Sequence, residues 1–483
     1  MSRVQWAGLV GGGIAFVLLL LAPHPPGLSP EGWRTGAVAV LMAIWWMTEA
    51  IPIPATALVP LVAFPFLGVL PMSDAAGPYA NELIFLFFGG FLLAAAMERW
   101  ELHRRIALEI VARVGTSPRR LVLGFMLATA FLSMWISNTA TAAMMFPIGI
   151  AVAEIFRVTD GEGPFEFGIT LMLGTAYAAS IGGVATLIGT PPNAVLAGAA
   201  DELLGVEIGF VEWMSVGLPV TALFLPMGWL LLVFVLHPPG DVSGDAARVL
   251  EDQRRSLGRL STGEKAVGTV FGLTAAAWIL RAPKEFDAFT IPGIQTFAPG
   301  VSDATIAMAA GLVLFLLPVD RRRGLFALDW ETARKIPWGI LVLFGGGLSL
   351  ARAMDRTGLA GWIGSGVAAL GDVPTVVIVG TAAALFVFLT EITSNTATAT
   401  MAMPIMAGMA AGLGFAPLTL MATAALATSM AFMLPVATPP NAIVFGSDYL
   451  TIPVMARAGI WMNVIAVALT TAAATLLIPA FLL

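Results

Sequence analysis

Ser137-Asn138-Thr139-Ala140-Thr141-Ala142 recurs as Ser394-Asn395-Thr396-Ala397-Thr398-Ala399, and both copies interrupt strongly apolar sequence. Further along, at similar distances from each copy, come Gly189-Thr190-Pro191-Pro192-Asn193-Ala194 and Ala437-Thr438-Pro439-Pro440-Asn441-Ala442. Ser and Asn supply hydroxyl and carboxamide oxygens, a donor set that suits a hard cation such as Na⁺ and not a soft or transition metal. Ser133 lies four residues before Ser137 and Thr390 four before Ser394, so each tip shares its helix face with an upstream hydroxyl. Half-helices ending at Gly189 and Ala437 would expose backbone carbonyls there and complete an oxygen cage at each tip, giving at least two Na⁺ sites.

The same breaks also suit an anion. Thr190 before Pro191, and Thr438 before Pro439, each read as an N-cap followed by Pro at the first helical position. Thr139 and Thr396 are expected to open the returning arms of the two tips in the same way. Four helix N-termini with free N–H groups and positive dipole ends form an anion site without Lys or Arg, and neither residue occurs centrally in these elements.

A simpler use of each residue is weighed against these roles. An isolated Ser or Thr in a membrane helix more often bonds the preceding turn or a neighbouring helix, but four matched motifs in a constant order favour ligands. Gly89-Gly90 and Gly345-Gly346-Gly347 read as close helix packing. Glu391 stands beside the second tip where the first has Met134, which leaves two roles open for it: structural hydrogen bonding or coupling. Glu49, in Trp46-Met47-Thr48-Glu49-Ala50-Ile51-Pro52, reads as an interfacial anchor.

The elements that must hold these residues are membrane spans. The chain is 58% hydrophobic and 11% charged, with a mean hydropathy of +0.90, outside the range of soluble domains. The expected fold is all-α and polytopic, with about eleven transmembrane helices in two inverted repeats. The first half carries helix 1 (5–22), helix 2 (34–51), helix 3 (54–70), helix 4 (82–99), a re-entrant hairpin (119–157), helix 5 (167–200, broken at 189–191) and helix 6 (212–236). The second carries helix 7 (264–281), helix 8 (303–318), helix 9 (336–354), a hairpin (374–413), broken helix 10 (417–448) and helix 11 (453–482). An odd number of crossings separates the two repeats, which inverts the second.

Charge supports this orientation. With the N-terminus inside, most Lys and Arg fall in or beside cytoplasmic segments, including Arg104, Arg105, Arg119, Arg120, Arg254, Arg255 and Arg321 to Arg323. Only Arg34, Arg281, Lys284, Arg352 and Arg356 fall outside. The expected location is the cell's inner (cytoplasmic) membrane, N-terminus cytoplasmic and C-terminus outside. Residues 101–115 read as an amphipathic interfacial helix, residues 357–370 as its weaker counterpart, and residues 238–263 as a cytoplasmic linker.

Other classes lack residues to support them. Without cysteine there is no disulfide, thiolate metal site or Cys nucleophile, and His24, His103 and His237 lack metal-ligand spacing. No Ser-His or paired-Asp constellation lies in the spans, so an enzyme is not expected; nor is nucleic-acid binding. A channel would need a continuous polar lining, whereas polarity here is concentrated at four breaks.

Over nearly its whole length the sequence resembles the divalent anion/sodium symporter family, through residues 46–52, Phe88-Gly89-Gly90, both Ser-Asn-Thr tips and both Thr-Pro-Pro-Asn breaks. The resemblance implies Na⁺-coupled symport of a C4-dicarboxylate of the succinate, malate and fumarate class by elevator-type movement; a Na⁺-independent di- or tricarboxylate exchanger, or a Na⁺-coupled citrate or sulfate symporter, is the alternative. It implies Na⁺ at Ser133, Ser137, Asn138 and the Gly189 carbonyl, and again at Thr390, Ser394, Asn395 and the Ala437 carbonyl. Substrate would touch Ser137, Asn138, Thr139, Thr190, Pro191, Ser394, Asn395, Thr396, Thr438 and Pro439. A homodimer is implied, with scaffold parts at 1–118 and 264–373, transport parts at 119–237 and 374–483, and the linker at 238–263.

Overall fold

The structure, a computed structural model, describes residues 1–157, 165–240, 246–286, 289–368 and 373–483, and is mostly helical over them. Helix starts follow side-chain chemistry. Ser2 and Gln5, and Ser261 and Glu264, form reciprocal capping boxes, while Pro30, Pro118, Pro191, Pro417 and Pro439 occupy first helical positions.

In the first half, helices Arg3–Leu21, Pro30–Thr48, Val59–Leu67, Glu82–Arg99 and Leu102–Val114 lead into a hairpin of Pro118–Ser133 and Asn138–Arg157. Glu166–Gly183 and Pro191–Leu204 follow as two half-helices, then Phe210–Leu230, which continues as a π-helical stretch, Leu231–Leu236. In the second half, Thr262–Ile279, Asp303–Leu316, Trp338–Arg356 and Leu359–Ala368 precede a hairpin of Thr375–Leu389 and Asn395–Gly412. The half-helices Pro417–Thr428 and Pro439–Phe445 come next, then Ile452–Ala472, again followed by a π-helical stretch, Ala473–Leu477. The duplication therefore reaches the irregularities: both return arms carry an interior proline, Pro147 and Pro404, and both last helices widen near their ends.

Several expectations need correction. Helix 3 does not run unbroken over 54–70: a turn at Ile53–Thr56 precedes Val59–Leu67, which stops at Gly68 in the left-handed region (φ 69°). Short helices Met72–Ala76 and Gly77–Ala80 then intervene before Glu82. The first break opens at 184, well before 189. The fold is not purely α either, since Lys284–Phe286 pairs with Phe289–Ile291, and Pro318–Asp320 with Leu325–Phe326, as small antiparallel hairpins. Within the expected linker, Ala246–Ser256 is a helix, while residues 241–245 lie outside the described residues. The second interfacial helix is described only as far as Ala368.

Among the described residues, five helices are long and apolar enough to cross a membrane: Arg3–Leu21, Met72–Arg99, Asn138–Arg157, Phe210–Leu236 and Ile452–Phe481. Asn138–Arg157, one of these five, is also the second arm of the first hairpin and packs on the first arm. The Ala246–Ser256 helix packs both on Leu102–Val114, which leads into the hairpin, and on the Asn138–Arg157 arm that leaves it. Arg254 donates to Glu109 at 2.9 Å across the first of these contacts. The hairpin thus starts and finishes beside one element.

Each half completes the other. The first hairpin's return arm and the Glu166–Gly183 half-helix pack on Pro439–Phe445, while the second hairpin's return arm packs on Pro191–Leu204. Glycines permit the closest approaches: Gly89 faces the Ala307 backbone, Gly346 the Ala57 backbone, Gly90 faces Ile188 and Gly347 faces Thr400. Gly182 sits on the Ala130 backbone, where a Cβ would overlap the Ala130 carbonyl and Cα. Gly182→Val should therefore cost on the order of 1–3 kcal/mol and lower the unfolding temperature of the detergent-purified protein by several degrees, and an unchanged melting curve would contradict this packing.

Candidate functional site

The first tip occupies residues 134–137. Ser137 ends it as the helix cap, its Oγ accepting from Ala140 N at 3.2 Å. Asn138 is then the first residue of the return arm. One end of its carboxamide lies 2.6 Å from Ser133 Oγ, 3.1 Å from the Ala179 carbonyl and 3.3 Å from the Gly189 carbonyl. Ser133 Oγ itself donates to the Ala179 carbonyl at 2.7 Å. With the NH₂ group turned inward, the amide donates to all three oxygens. With Oδ1 inward, an amide oxygen, a hydroxyl oxygen and two carbonyl oxygens converge, which is the donor set of a hard cation. One rotation of the Asn138 amide thus separates an internally satisfied site from a cluster of oxygens with the donor set of a hard cation.

The second tip repeats this geometry. Thr390 Oγ1 donates to Asn395 Oδ1 at 2.6 Å and to the Thr428 carbonyl at 3.0 Å. Ser394 caps the return arm, accepting from Ala397 N at 3.5 Å. Thr390 stands where Ser133 stood, Asn395 where Asn138 stood, and the Thr428 carbonyl takes the place of that of Ala179. The Ala437 carbonyl ends the second break, next to the helix cap Thr438, as Gly189 precedes Thr190.

A second pair of asparagines holds the breaks open. Asn193 Nδ2 donates to the carbonyls of Gly183 (3.3 Å), Val184 (3.3 Å) and Thr186 (2.8 Å). Asn441 Nδ2 donates to those of Ala431 (3.4 Å) and Leu434 (3.0 Å). Carbonyls orphaned where each half-helix stops are thereby collected by one buried amide. Thr186 Oγ1 ties the first break back to its tip through the Met134 carbonyl at 2.5 Å. No residue type marks these acceptors, so the Ala179 and Thr428 carbonyls were not foreseen.

The expected caps are only partly in place. Thr438 accepts from Asn441 N at 3.3 Å, but Thr190, equally extended, makes no side-chain cap bond. Thr139 and Thr396 are second residues of their arms; Ser137 and Ser394 are the caps, because each hydroxyl already sits one residue outside the helix. Ser137 and Thr139 are exposed and Asn138 is half-buried, so the first tip faces an open space; Ser394, Asn395 and Thr396 are half-buried. Thr190 and Thr438 are buried, Pro191 is half-buried and Pro439 exposed.

Glu391 is 4% exposed and bonds backbone. Its Oε1 accepts from Phe432 N (2.7 Å), Met433 N (3.0 Å) and Asn463 Nδ2 (2.8 Å). Its Oε2 accepts from Met433 N (3.1 Å) and Leu434 N (3.2 Å). The carboxylate therefore satisfies consecutive amides of the second break. Gly459 lets the last long helix lie directly against this loop, at Phe432 and Met433.

The profile of the sodium:sulfate symporter transmembrane region matches residues 3–481. A sodium-dependent dicarboxylate transporter, SdcS, of Staphylococcus saprophyticus is 42% identical, the match covering 98% of this chain and 92% of the relative. SdcS of Staphylococcus aureus is also 42% identical, over 96% of this chain and 89% of its own length. Among solved structures, the YdaH transporter of Alcanivorax borkumensis aligns with a TM-score of 0.60 at 15% identity, over 99% of this chain and 98% of that one. MtrF of Neisseria gonorrhoeae aligns with a TM-score of 0.60 at 14% identity, over 97% and 96%. These two likenesses establish a shared membrane-transporter fold.

A Cβ on Gly183 would fall on the Asn138 carboxamide. Gly183→Ala should block the rotation of that amide, removing a large part of any stabilisation by Na⁺ while the Na⁺-free melting temperature moves little. Undiminished Na⁺ stabilisation in this variant would show that the amide is not the cation's ligand.

Proposed function

The chain belongs to the family of the sodium:sulfate symporter transmembrane region, and from that premise we propose that it is a secondary active transporter coupling Na⁺ to uptake of a C4-dicarboxylate of the succinate, malate and fumarate class. The observation that carries this reading is the pair of matched oxygen clusters, Ser133–Asn138–Ala179–Gly189 and Thr390–Asn395–Thr428, each at a helix N-terminus. Each cluster fits Na⁺; each neighbouring N-terminus favours a carboxylate. Ser137 and Ser394 serve first as caps and retain a lone pair for a ligand. The dicarboxylate lies between the tips, reached by Asn138, Thr139, Thr190, Pro191, Asn395, Thr396, Thr438 and Pro439. The names of both staphylococcal relatives favour a dicarboxylate over sulfate.

The proposed topology has eleven crossings in two inverted repeats, with the N-terminus cytoplasmic and the C-terminus outside. Polar contacts are consistent with it, because they join residues assigned to one side. Outside, Arg281 meets Glu207 and Asp303, each at 2.9 Å, Arg352 meets Glu202, and Arg356 meets Asp74. Inside, Arg99 meets Asp329 at 2.7 Å, Arg105 meets Glu264 at 2.5 Å, His237 meets Glu166 at 2.7 Å, and Tyr449 donates to Glu154 at 2.5 Å.

Movement is of the elevator type. Residues 119–237 and 374–483 form the transport part, residues 1–118 and 264–373 the scaffold, and two copies make a homodimer. Small apolar residues between these parts favour sliding: Ala194, Gly198 and Ala199 face Gly347, Leu348 and Ala351 around a narrow cavity.

In proteoliposomes, succinate uptake should be fast with an inward Na⁺ gradient and collapse without it. Equal rates would sink the coupling, and counterflow that requires internal dicarboxylate but ignores Na⁺ would establish an exchanger instead. Asn138→Ala and Asn395→Ala should each abolish Na⁺-dependent uptake at normal expression; full activity in both would remove the cages from the mechanism.

A further inference from the structure

The two cages match in their ligands but not in their surroundings. At the second, the residue after the cage hydroxyl Thr390 is Glu391, whose carboxylate grips Phe432, Met433 and Leu434. Those amides lie in the loop that runs from the Thr428 carbonyl, which Thr390 contacts at 3.0 Å, to Ala437 and the cap Thr438. At the first cage the equivalent position is Met134, which offers only its backbone carbonyl, to Thr186 Oγ1 at 2.5 Å. Among the described residues, the groups that hold the equivalent loop there are neutral: Thr186, Asn193 and the Trp213 indole, which donates to the Val184 carbonyl at 2.9 Å.

Every contact to Glu391 is a donor, and both carboxylate oxygens accept. That is the partner set of an anion, because a protonated carboxyl group would need an acceptor for its own hydrogen. No Lys or Arg among the described residues pairs with it. Fixed N–H dipoles and the Asn463 amide hold the charge in place, yet they leave a full negative charge buried beside one cage and none beside the other. A cation entering the neighbouring cage supplies the missing countercharge, at a depth where Coulomb attraction is weakly screened.

Resting on the Na⁺-coupled reading above, we propose that the cages are unequal: the Thr390–Asn395 cage is the tighter Na⁺ site and fills first, and Glu391 is the positioning residue that makes it so. Its charge draws the ion, and its grip on residues 432–434 fixes the loop that follows the cage's Thr428 carbonyl. The Ser133–Asn138 cage, without such a charge, fills second.

Na⁺ titration of purified protein, followed by tryptophan fluorescence and thermal stabilisation, tests this order. Ser133→Ala should leave the tighter phase intact, and Thr390→Val should leave only the weaker one. Glu391→Gln made in the Ser133→Ala background should weaken the remaining phase on the order of tenfold, whereas in the Thr390→Val background it should shift the weaker phase less than about twofold. General damage to the fold would move both backgrounds alike and so overturn the charge assignment. If Glu391→Gln does not fold, the Ser133→Ala and Thr390→Val pair still decides the order, and retention of the tighter phase in Thr390→Val reverses it. A wild-type protein that ignores Na⁺ altogether would defeat the Na⁺ reading and this inference together; a Na⁺ response with the opposite order would defeat this inference alone.

Discussion

A helix that stops inside hydrocarbon leaves N–H and C=O groups that must find partners, and each one left unpaired costs several kcal/mol, roughly. This chain stops helices four times at depth, and the rest of the fold serves those four stops. Asn193 and Asn441 gather carbonyls, Ser137 and Ser394 cap amides, and Glu391 takes the amides that the second break leaves over. What remains unspent is a small number of oxygens at each tip, facing Asn138 and Asn395. The proposed binding site is that remainder.

Each tip is completed by its own repeat's broken helix, while each hairpin packs on the broken helix of the other repeat, so the two halves are joined by direct packing. Tyr177 of the first repeat sits edge-on to Phe432 in the second break, ring centroids 5.2 Å apart, and Phe224 packs on the same ring at 5.5 Å. A change at one break is therefore felt through packed side chains at the other, a physical route by which the proposed cations and anion would bind as a set. Gly90 and Gly347 keep the facing surface smooth where the long helices Glu82–Arg99 and Trp338–Arg356 meet these elements.

Much of this was legible in the residues. The matched tips, the Pro-marked helix starts and the nearness of Ser133 and Thr390 to the tip asparagines lie where the residue types put them, since Pro at a first helical position and four-residue helix spacing are read directly from the chain. Three things were not legible. The Ala179 and Thr428 carbonyls are backbone atoms of ordinary residues, and only the return of the chain brings them to the cage. The first break opens at Gly183 because Asn193 pulls three carbonyls inward, a tertiary effect that Gly182-Gly183 alone does not distinguish from helix packing. Thr139 and Ser137 are equally good caps on paper, and only the start of the helix at Asn138 chooses Ser137. Glu391, lacking a counterpart in the first repeat, pointed in two directions until its hydrogen bonds were seen.

Cation cages and anion site share the same tips, so their affinities must be linked thermodynamically. The most direct measurement is Na⁺ affinity with and without saturating succinate, together with succinate affinity with and without saturating Na⁺, on purified protein at constant ionic strength. The account predicts that each ligand tightens the other by one common factor well above unity, as linkage demands. A factor of one, with both ligands binding, would mean that the oxygens at Asn138 and Asn395 do not join cation to substrate, and would contradict the account at its centre.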